Sequence, residues 1–227
     1  MNIIADIAGR FDELMLLLAQ MPKDEPIILV GDLIDRGPKS KEVIEWAMTT
    51  PNVTVIKGNH EDMMVDFALN LKRYEEGIWF MNGGNKTMYS YGCMLSHEKP
   101  SNDERIRAAI PKEHIDFLQK CPIFYKTDGL FVSHAPWNGS FDLGHYKSEE
   151  DALWNRYKPH KHEGVFQIFG HNSSMRQYGD YAICLDNSSK RVLTGIHWPS
   201  KKIYEQPYLN EVSLTVVKNN KAPEDRE

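Results

Sequence analysis

Short apolar runs alternate with helix-like repeats in the first third of the chain. Three of the runs have the length and the β-branched content of buried strands. These predicted strands lie at 2–5, 27–30 and 53–56. Apolar residues recur every three or four positions at about 10–21 and 39–48, and a third helix is predicted from 59 to about 73. Repeated βα units of this kind predict a mostly parallel sheet with right-handed crossovers.

The rest of the chain divides into a helical middle and a strand-rich end. Residues 74–120 are predicted to be helical and insert-like, and Asp128-Gly129 beyond them predicts a hairpin between two strands. The strands predicted in this part lie at 123–126, 130–132, 165–169, 181–185, 191–197, 202–205 and 212–217. Their close spacing predicts a second, mainly antiparallel sheet. We expect a single domain over 1–217 and a polar tail at 218–227.

The composition is that of an ordinary globular protein. Of the 227 residues, 41% are hydrophobic and 26% are charged, and no apolar run approaches the roughly 20 residues that cross a bilayer. The first residues lack the basic and apolar segments of a signal peptide. The three cysteines are scattered, which is typical of free thiols in a reducing compartment. We therefore expect a cytoplasmic protein without a membrane segment.

The charge distribution restricts the partners of the chain. A net charge of −5 and the absence of a Lys/Arg run argue against a dedicated nucleic-acid surface. The same charge leaves a nucleotide, a phosphorylated small molecule or a phosphoprotein open as the substrate. The oligomeric state is not indicated by any feature of the sequence.

Potential metal ligands follow five of the predicted strands. They are Asp6, Asp32, Asn59, His134 and His171. Ligands of open α/β sheets gather beyond the carboxyl ends of the strands, so these side chains are expected to lie near one another. Oxygen and nitrogen donors without a thiolate suit Mn²⁺, Fe or Zn²⁺ better than they suit a structural zinc site. One such residue alone would be interpreted as a helix cap or a structural histidine, whereas five together favour a metal centre.

Five short motifs, in this order, resemble those of the calcineurin-like metallophosphoesterases. The motifs are Asp6-x-x-Gly9, Gly31-Asp-Leu-Ile-Asp-Arg-Gly37, Gly58-Asn-His-Glu61, His134-Ala135 and Gly170-His171. The Asp-Arg-Gly segment is typical of the phosphoprotein phosphatase branch, whose small bacterial and phage serine/threonine phosphatases the chain resembles most. The resemblance covers about residues 1–190. It implies an α/β fold of four layers (α/β/β/α), in which helices flank two mixed sheets.

The resemblance implies a two-metal centre. Asp32 would bridge two divalent ions, which we expect to be Mn²⁺, with Fe or Zn²⁺ as alternatives. Asp6 would complete the first metal site. Asn59, His134 and His171 would hold the second ion. A metal lowers the pKa of bound water, so a metal-bound hydroxide would attack phosphorus in line.

The resemblance also implies how the phosphate group is handled. Arg36 and Arg156 would bind phosphate oxygens, for which a guanidinium fork is well suited. His60, oriented by Asp35, would protonate the leaving group, a contribution of roughly 10²–10⁴-fold. Surface pairing of Asp35 with Arg36, and simple packing of Arg156 beside Trp154, are the alternatives.

The expected activity is metal-dependent hydrolysis of phosphomonoesters, phosphoserine and phosphothreonine among them. Symmetrical cleavage of dinucleoside tetraphosphates and hydrolysis of cyclic nucleotide esters are alternatives within the same superfamily. A catalytically impaired, phosphate-binding protein is an alternative of a different class. Specificity is expected to lie in the loops at about 74–103 and 135–161.

The first motif departs from the family pattern at one position. The family normally has Asp-x-His-Gly there, whereas this chain reads Asp6-Ile-Ala8-Gly9. Because a methyl group cannot bind a metal, we expect one tight site and a weakened first site. Three explanations stay open: a natural variant, a mutant engineered to slow turnover, or a protein that lost catalysis and kept phosphate binding. Retention of His60, Arg36 and every ligand of the second site argues against the last.

Several further polar residues have simpler interpretations. Glu61 is expected to favour a helix N-terminus through its charge. Asn82-Gly83-Gly84 and Asp186-Asn187 are expected to form turns, with a wall of the site as the alternative for each. His160 and His162 lie in a polar loop that we expect to be solvated and without a role in metal binding.

Overall fold

The computed structural model describes residues 1–75, 77–93, 104–139 and 149–210, and it has the expected α/β architecture. Two five-stranded sheets pack face to face. Helices α1, α2, α3 and α6 cover the outer face of the first sheet. Helix α7 and its neighbouring loop lie on the second sheet, where Ala152 and Trp137 pack against Phe131. No helix in these described ranges combines the length and the apolar character needed to cross a membrane.

The first sheet has the strand order β10-β9-β1-β2-β3. Its strands are β1 (Asn2–Ile4), β2 (Ile27–Val30), β3 (Val53–Ile56), β9 (Val192–His197) and β10 (Lys202–Pro207). Strands β1, β2 and β3 are parallel, as predicted, and β9 joins β1 antiparallel. The prediction that placed the strands at 191–197 and 202–205 in the second sheet is therefore wrong. Periodicity identifies a strand, but it does not specify which free sheet edge the strand joins.

The second sheet has the order β4-β5-β6-β8-β7. Its strands are β4 (Phe124–Thr127), β5 (Leu130–Ser133), β6 (Phe166–Phe169), β7 (Arg176–Tyr178) and β8 (Ala182–Cys184). The hairpin at Asp128-Gly129 is confirmed, because β4 and β5 pair antiparallel. The three central strands are parallel, so the expectation of a mainly antiparallel sheet is wrong. Strand β7 was not predicted because its three residues are polar and largely exposed.

Seven α-helices connect or flank the strands in the described ranges. They are α1 (Phe11–Gln20), α2 (Ser40–Thr49), α3 (Asn59–Leu69), α4 (Asn85–Ser90), α5 (Glu104–Ala108), α6 (Lys112–Lys120) and α7 (Glu149–Trp154). Helix α3 ends at Leu69, about four residues earlier than predicted, and is followed by Asn70, whose φ of +53° is tolerated by asparagine. The predicted strand at 212–217 and the tail at 218–227 lie outside the described residues.

Alternate residues of the central strands face opposite layers of the core. Ile3 and Val30 point between the two sheets, where they meet Val132 and Ile168 of the second sheet. Ile4 belongs to the cluster beneath the helices. Full burial of each such side chain stabilises the fold by about 1.5–3 kcal/mol. Because β1, β2 and β3 are parallel, their carboxyl ends lie at the same edge of the sheet, and the candidate site lies there.

Candidate active site

A cluster of four polar side chains lies where the two sheets meet. Ligand atoms of Asp32, His134 and His171 all lie within 4.8 Å of one another, and all three residues are buried. Asn59 joins them, with its Oδ1 atom 2.9 Å from Nε2 of His134. The structure thus brings together all four residues expected to hold the second metal.

The donor atoms of this cluster match a cation. His134 Nδ1 lies 2.9 Å from the carbonyl oxygen of Val30, which can only accept, so Nδ1 carries the proton. Nε2, the other ring nitrogen, lies 2.9 Å from the Asn59 amide oxygen and 3.3 Å from Asp32 Oδ1. His171 Nδ1 is 3.2 Å from the same Nε2 atom. Oxygen and nitrogen atoms that converge on one point in this way form a set of donors suited to a divalent cation.

The protonation states also suit metal binding. Burial, together with the neighbouring His134, lowers the pKa of His171 to about 3, which leaves its imidazole neutral. Burial acts against ionisation of Asp32, but the surrounding histidines outweigh it and lower the pKa of that carboxyl. Metal ligands are the neutral imidazole and the ionised carboxylate, and these are the forms favoured for His171 and Asp32.

Asp6 lies beside the cluster, at the end of β1. Its carboxylate oxygens accept the backbone N–H of His171 at 3.1 and 3.2 Å. Residue 170 is glycine because a Cβ there would collide with Asp6 Oδ2. Burial raises the pKa of Asp6 well above its ordinary value, and Asp186 and Asp32 raise it further. A nearby cation would relieve this accumulation of negative charge.

Ala8 contributes backbone contacts to the site. Its N–H donates to the carbonyl oxygen of Asp32 at 2.7 Å, and its own carbonyl accepts the N–H of Gly37 at 2.8 Å. The side chain is a buried methyl group, which offers no electron pair to a metal. Ala8 therefore offers no side-chain donor to the first metal site that the sequence predicts.

The backbone of the site is strained at several positions. Six residues of the site other than glycine have φ between +50° and +71°. They are Asp6, Ala8, Asp32, Asp35, Arg36 and His171. A side chain in this left-handed region costs roughly 1–2 kcal/mol, and such strain concentrates at functional sites.

His60 and Asp35 form a buried pair next to the cluster. Nδ1 of His60 lies 2.5 Å from Asp35 Oδ2. The other ring nitrogen, Nε2, faces the cluster at 3.7 Å from Asp32 Oδ2 and 3.5 Å from Nη2 of Arg36. Burial favours the neutral ring, yet Asp32 and Asp35 outweigh it and raise the pKa of His60 to about 9. The imidazole therefore carries a proton at neutral pH, and its Nε2–H is directed into the site.

Two arginines border the same site. Arg36 and Arg156 are both exposed, so their guanidinium groups are accessible to a ligand. Nη1 of Arg156 donates to the carbonyl oxygen of His171 at 3.0 Å. Cations beside a group of potential metal ligands and a protonated imidazole form a suitable environment for a phosphate group.

Glu61 has a larger role than the sequence indicated. Its buried carboxylate accepts the backbone N–H groups of Asp32, Leu33 and Gly58, each at 2.8 Å. It thereby connects the loop after β2 to the loop after β3. The contact with Gly58 is local in sequence, whereas the contacts with residues 32 and 33 depend on the tertiary fold.

Replacing Glu61 by alanine is expected to lower the free energy of unfolding by about 2–5 kcal/mol, because three buried N–H groups lose their acceptor. Denaturant titration measures this change. Glu45→Ala, at a side chain that is 50% exposed, is the matched control and should change stability by less than about 0.5 kcal/mol. Equal effects of the two substitutions would contradict the assigned role.

The two segments expected to be turns contribute to the walls of the site. Asn82-Gly83-Gly84 ends a wide turn over Phe80–Gly84, and a Cβ at residue 83 would lie 3.1 Å from the backbone nitrogen of Arg36. Asp186 is buried beside Asp6, where it accepts the backbone N–H of Ser173 and of Ser188. Both segments therefore form part of a wall of the site, which was the alternative to a simple turn.

Comparison with known proteins finds one matching family and several similar phosphatases. A family model described as Calcineurin-like phosphoesterase matches residues 2–187. Serine/threonine-protein phosphatase 2 of Escherichia coli (strain K12) is 37% identical over 161 residues, which cover 67% of this chain and 66% of that relative. A symmetrical bis(5′-nucleosyl)-tetraphosphatase of Vibrio vulnificus (strain CMCP6) is 40% identical over 74 residues, or 31% of this chain and 28% of the relative. The chain thus spans just under two thirds of the matched phosphatase.

The architecture is shared with solved structures. A protein proposed to be a diadenosine tetraphosphatase has a TM-score of 0.65 at 18% sequence identity, covering 92% of this chain and 93% of that chain. At this identity the likeness concerns the fold alone. It confirms the predicted arrangement of two mixed sheets flanked by helices.

Proposed function

Because the chain belongs to the calcineurin-like phosphoesterase family, we propose that it hydrolyses phosphomonoesters, phosphoserine and phosphothreonine among them. The convergence of Asp32, His134 and His171 next to the protonated His60 carries this proposal. A metal cluster alone would suit many proteins. A cluster that also has a proton donor and two exposed arginines suits phosphoester hydrolysis in particular.

The proposed metal ligands are those expected from the sequence. Asn59, His134 and His171 would hold one divalent ion together with Asp32, and Asp6 would take part with Asp32 in a second, weaker site. Oxygen and nitrogen donors favour Mn²⁺, with Fe or Zn²⁺ as alternatives. When bound, such ions supply positive charge for the phosphate group and water of lowered pKa.

The side chains of the protein bind the substrate and protonate the leaving group. Arg36 and Arg156 hold phosphate oxygens through their N–H groups, which also orients the phosphorus atom. His60 donates the proton of Nε2 to the departing oxygen, which otherwise leaves as a poorly stabilised alkoxide. Asp35 holds Nδ1 of the ring and stabilises its charged form.

Dinucleoside tetraphosphates are the second candidate substrates. The segment shared with the Vibrio vulnificus tetraphosphatase supports this alternative, since it is 40% identical over 74 residues. The longer match with the Escherichia coli phosphatase, over 161 residues, favours phosphomonoesters. The two activities require the same reaction at phosphorus and differ in the group that leaves.

A substrate panel tests the proposal. The panel contains p-nitrophenyl phosphate, phosphoserine and phosphothreonine peptides, diadenosine tetraphosphate and a 2′,3′-cyclic nucleotide, each with Mn²⁺ and with a chelator. We expect hydrolysis of the phosphomonoesters with Mn²⁺ only. Cleavage restricted to the tetraphosphate would support the second candidate, and phosphate binding without turnover of any substrate would contradict both.

A further inference from the structure

The carboxylate of Asp35 is held by three side chains, two of which come from the helical region that follows α3. Asp35 is completely buried. Besides His60, its Oδ2 atom accepts a hydrogen bond from Nε1 of Trp79 at 3.0 Å. Its Oδ1 atom accepts a hydrogen bond from the hydroxyl of Thr87 at 2.5 Å. Both oxygens therefore have a partner besides the imidazole.

Thr87 holds the backbone of Asp35 as well as its side chain. The N–H of Asp35 donates to Oγ1 of Thr87 at 2.9 Å and lies 3.0 Å from Oγ of Ser40. Thr87 is completely buried, so water does not replace its hydroxyl. The hydroxyl thus accepts from the main chain of Asp35 and donates to its carboxylate, which restricts both parts of the residue.

Trp79 is itself fixed by close packing. Its ring lies 5.1 Å from the ring of Phe67 and 5.2 Å from that of Phe80, measured between centroids. A Cβ at residue 84 would lie 2.6 Å from two atoms of the indole, so the glycine allows the ring to reach this position. The orientation of the Trp79 N–H is therefore determined by the wide turn that surrounds it.

We propose that Trp79 and Thr87 are positioning residues that fix the rotation of the Asp35 carboxylate and so direct the Nε2–H of His60 at the leaving group. The inference rests on the proposed phosphomonoesterase function and extends it to a choice of substrate. A carboxylate without these two partners rotates more freely, and the imidazole turns with it. Proton donation is most important for poor leaving groups, so the two residues adapt the site to alkoxides such as those of serine and threonine.

Leaving-group dependence tests the proposal with Thr87→Val, which is nearly isosteric, and with Trp79→Phe, which keeps an aromatic ring but removes the N–H. Thr87→Val and Trp79→Phe are each expected to lower kcat for a phosphoserine peptide by about tenfold or more, because small misplacements of catalytic groups have effects of this size. For p-nitrophenyl phosphate, whose leaving group needs little protonation, the loss should be no more than about threefold. Thr87→Ser keeps the hydroxyl and should restore peptide turnover.

Matched substitutions elsewhere separate positioning from general destabilisation. Thr49→Val removes an exposed hydroxyl bond to a helix carbonyl, and Trp46→Phe changes a partly buried ring outside the site. Neither control should change the ratio of the two activities. Equal losses of kcat for both substrates in Thr87→Val and Trp79→Phe would overturn the proposal.

An NMR measurement that needs no turnover tests the roles of Trp79 and Thr87 separately from the proposed function. In the metal-free protein, NMR should show a strongly downfield Nδ1 proton for His60, assigned by its absence in His60→Gln. We expect this signal to shift upfield in Thr87→Val and Trp79→Phe and to stay in place in Thr49→Val. If the wild-type protein hydrolyses no substrate, the proposed function fails, and the NMR comparison decides the positioning roles by itself. A signal that is unchanged in both variants would overturn them.

Discussion

Replacing His60 by alanine is expected to lower the turnover of a phosphoserine peptide by about 10²–10⁴-fold, the usual contribution of a general acid. Nδ1 of His60 lies 2.5 Å from Asp35 Oδ2, and Nε2 lies 3.7 Å from Asp32 Oδ2, so this orientation of the ring directs Nε2 into the site. The alkoxide of serine is a poor leaving group, whereas p-nitrophenolate leaves readily. The loss should therefore be smaller for p-nitrophenyl phosphate. Steady-state kinetics at saturating Mn²⁺ measure both values.

The control for this substitution must account for a buried carboxylate that loses its partner. His60→Gln keeps a polar group near Asp35, and denaturant titration shows whether either variant remains folded. His160→Ala removes an exposed histidine and should leave turnover unchanged. Retention of wild-type peptide hydrolysis in folded His60→Ala would contradict the role of proton donor.

Replacing Ala8 by histidine is expected to tighten the weaker metal site by about 10–100-fold or more. Loss of a group that only orients a metal ligand already costs about 10–100-fold in affinity, so a direct ligand should gain at least as much. Turnover at limiting Mn²⁺ should rise with occupancy. Calorimetric titration of the chelated protein with Mn²⁺ measures the affinity and the stoichiometry independently of turnover.

Ala8→Leu is the control for the added volume, because its side chain offers no donor atom. It should bind metal no more tightly than the wild-type protein. Dialysis followed by elemental analysis should find less than two metals per wild-type chain. Two tightly held ions in the wild-type protein, or identical titrations for the wild type and Ala8→His, would contradict the weakened site.

The sequence predicted the strands well and their sheet partners less well. The runs at 27–30 and 53–56 gave β2 and β3 with the same bounds, because a buried strand is visible as a short β-branched segment. Strand β9 was recognised as a strand, yet its pairing with β1 was not expected. Pairing depends on which sheet edge is left open, and that property belongs to the whole fold.

The site shows the same division between local and tertiary information. Asp32, Asn59 and His134 were found because they follow strands and belong to short motifs. Trp79 and Thr87 were not found, since they lie 44 and 52 residues from their partner Asp35. Nothing in their local sequence indicates this contact. Residues that act by holding another residue are visible only when the fold brings them together.

The central claim is that this chain hydrolyses phosphomonoesters with metal ions held at the edge of the two sheets. Hydrolysis of p-nitrophenyl phosphate by the purified protein, first stripped with a chelator and then supplied with Mn²⁺, tests it most directly. We predict no turnover after stripping and restored turnover on addition of Mn²⁺. Equal rates in both states, or no turnover with Mn²⁺ bound, would contradict the claim.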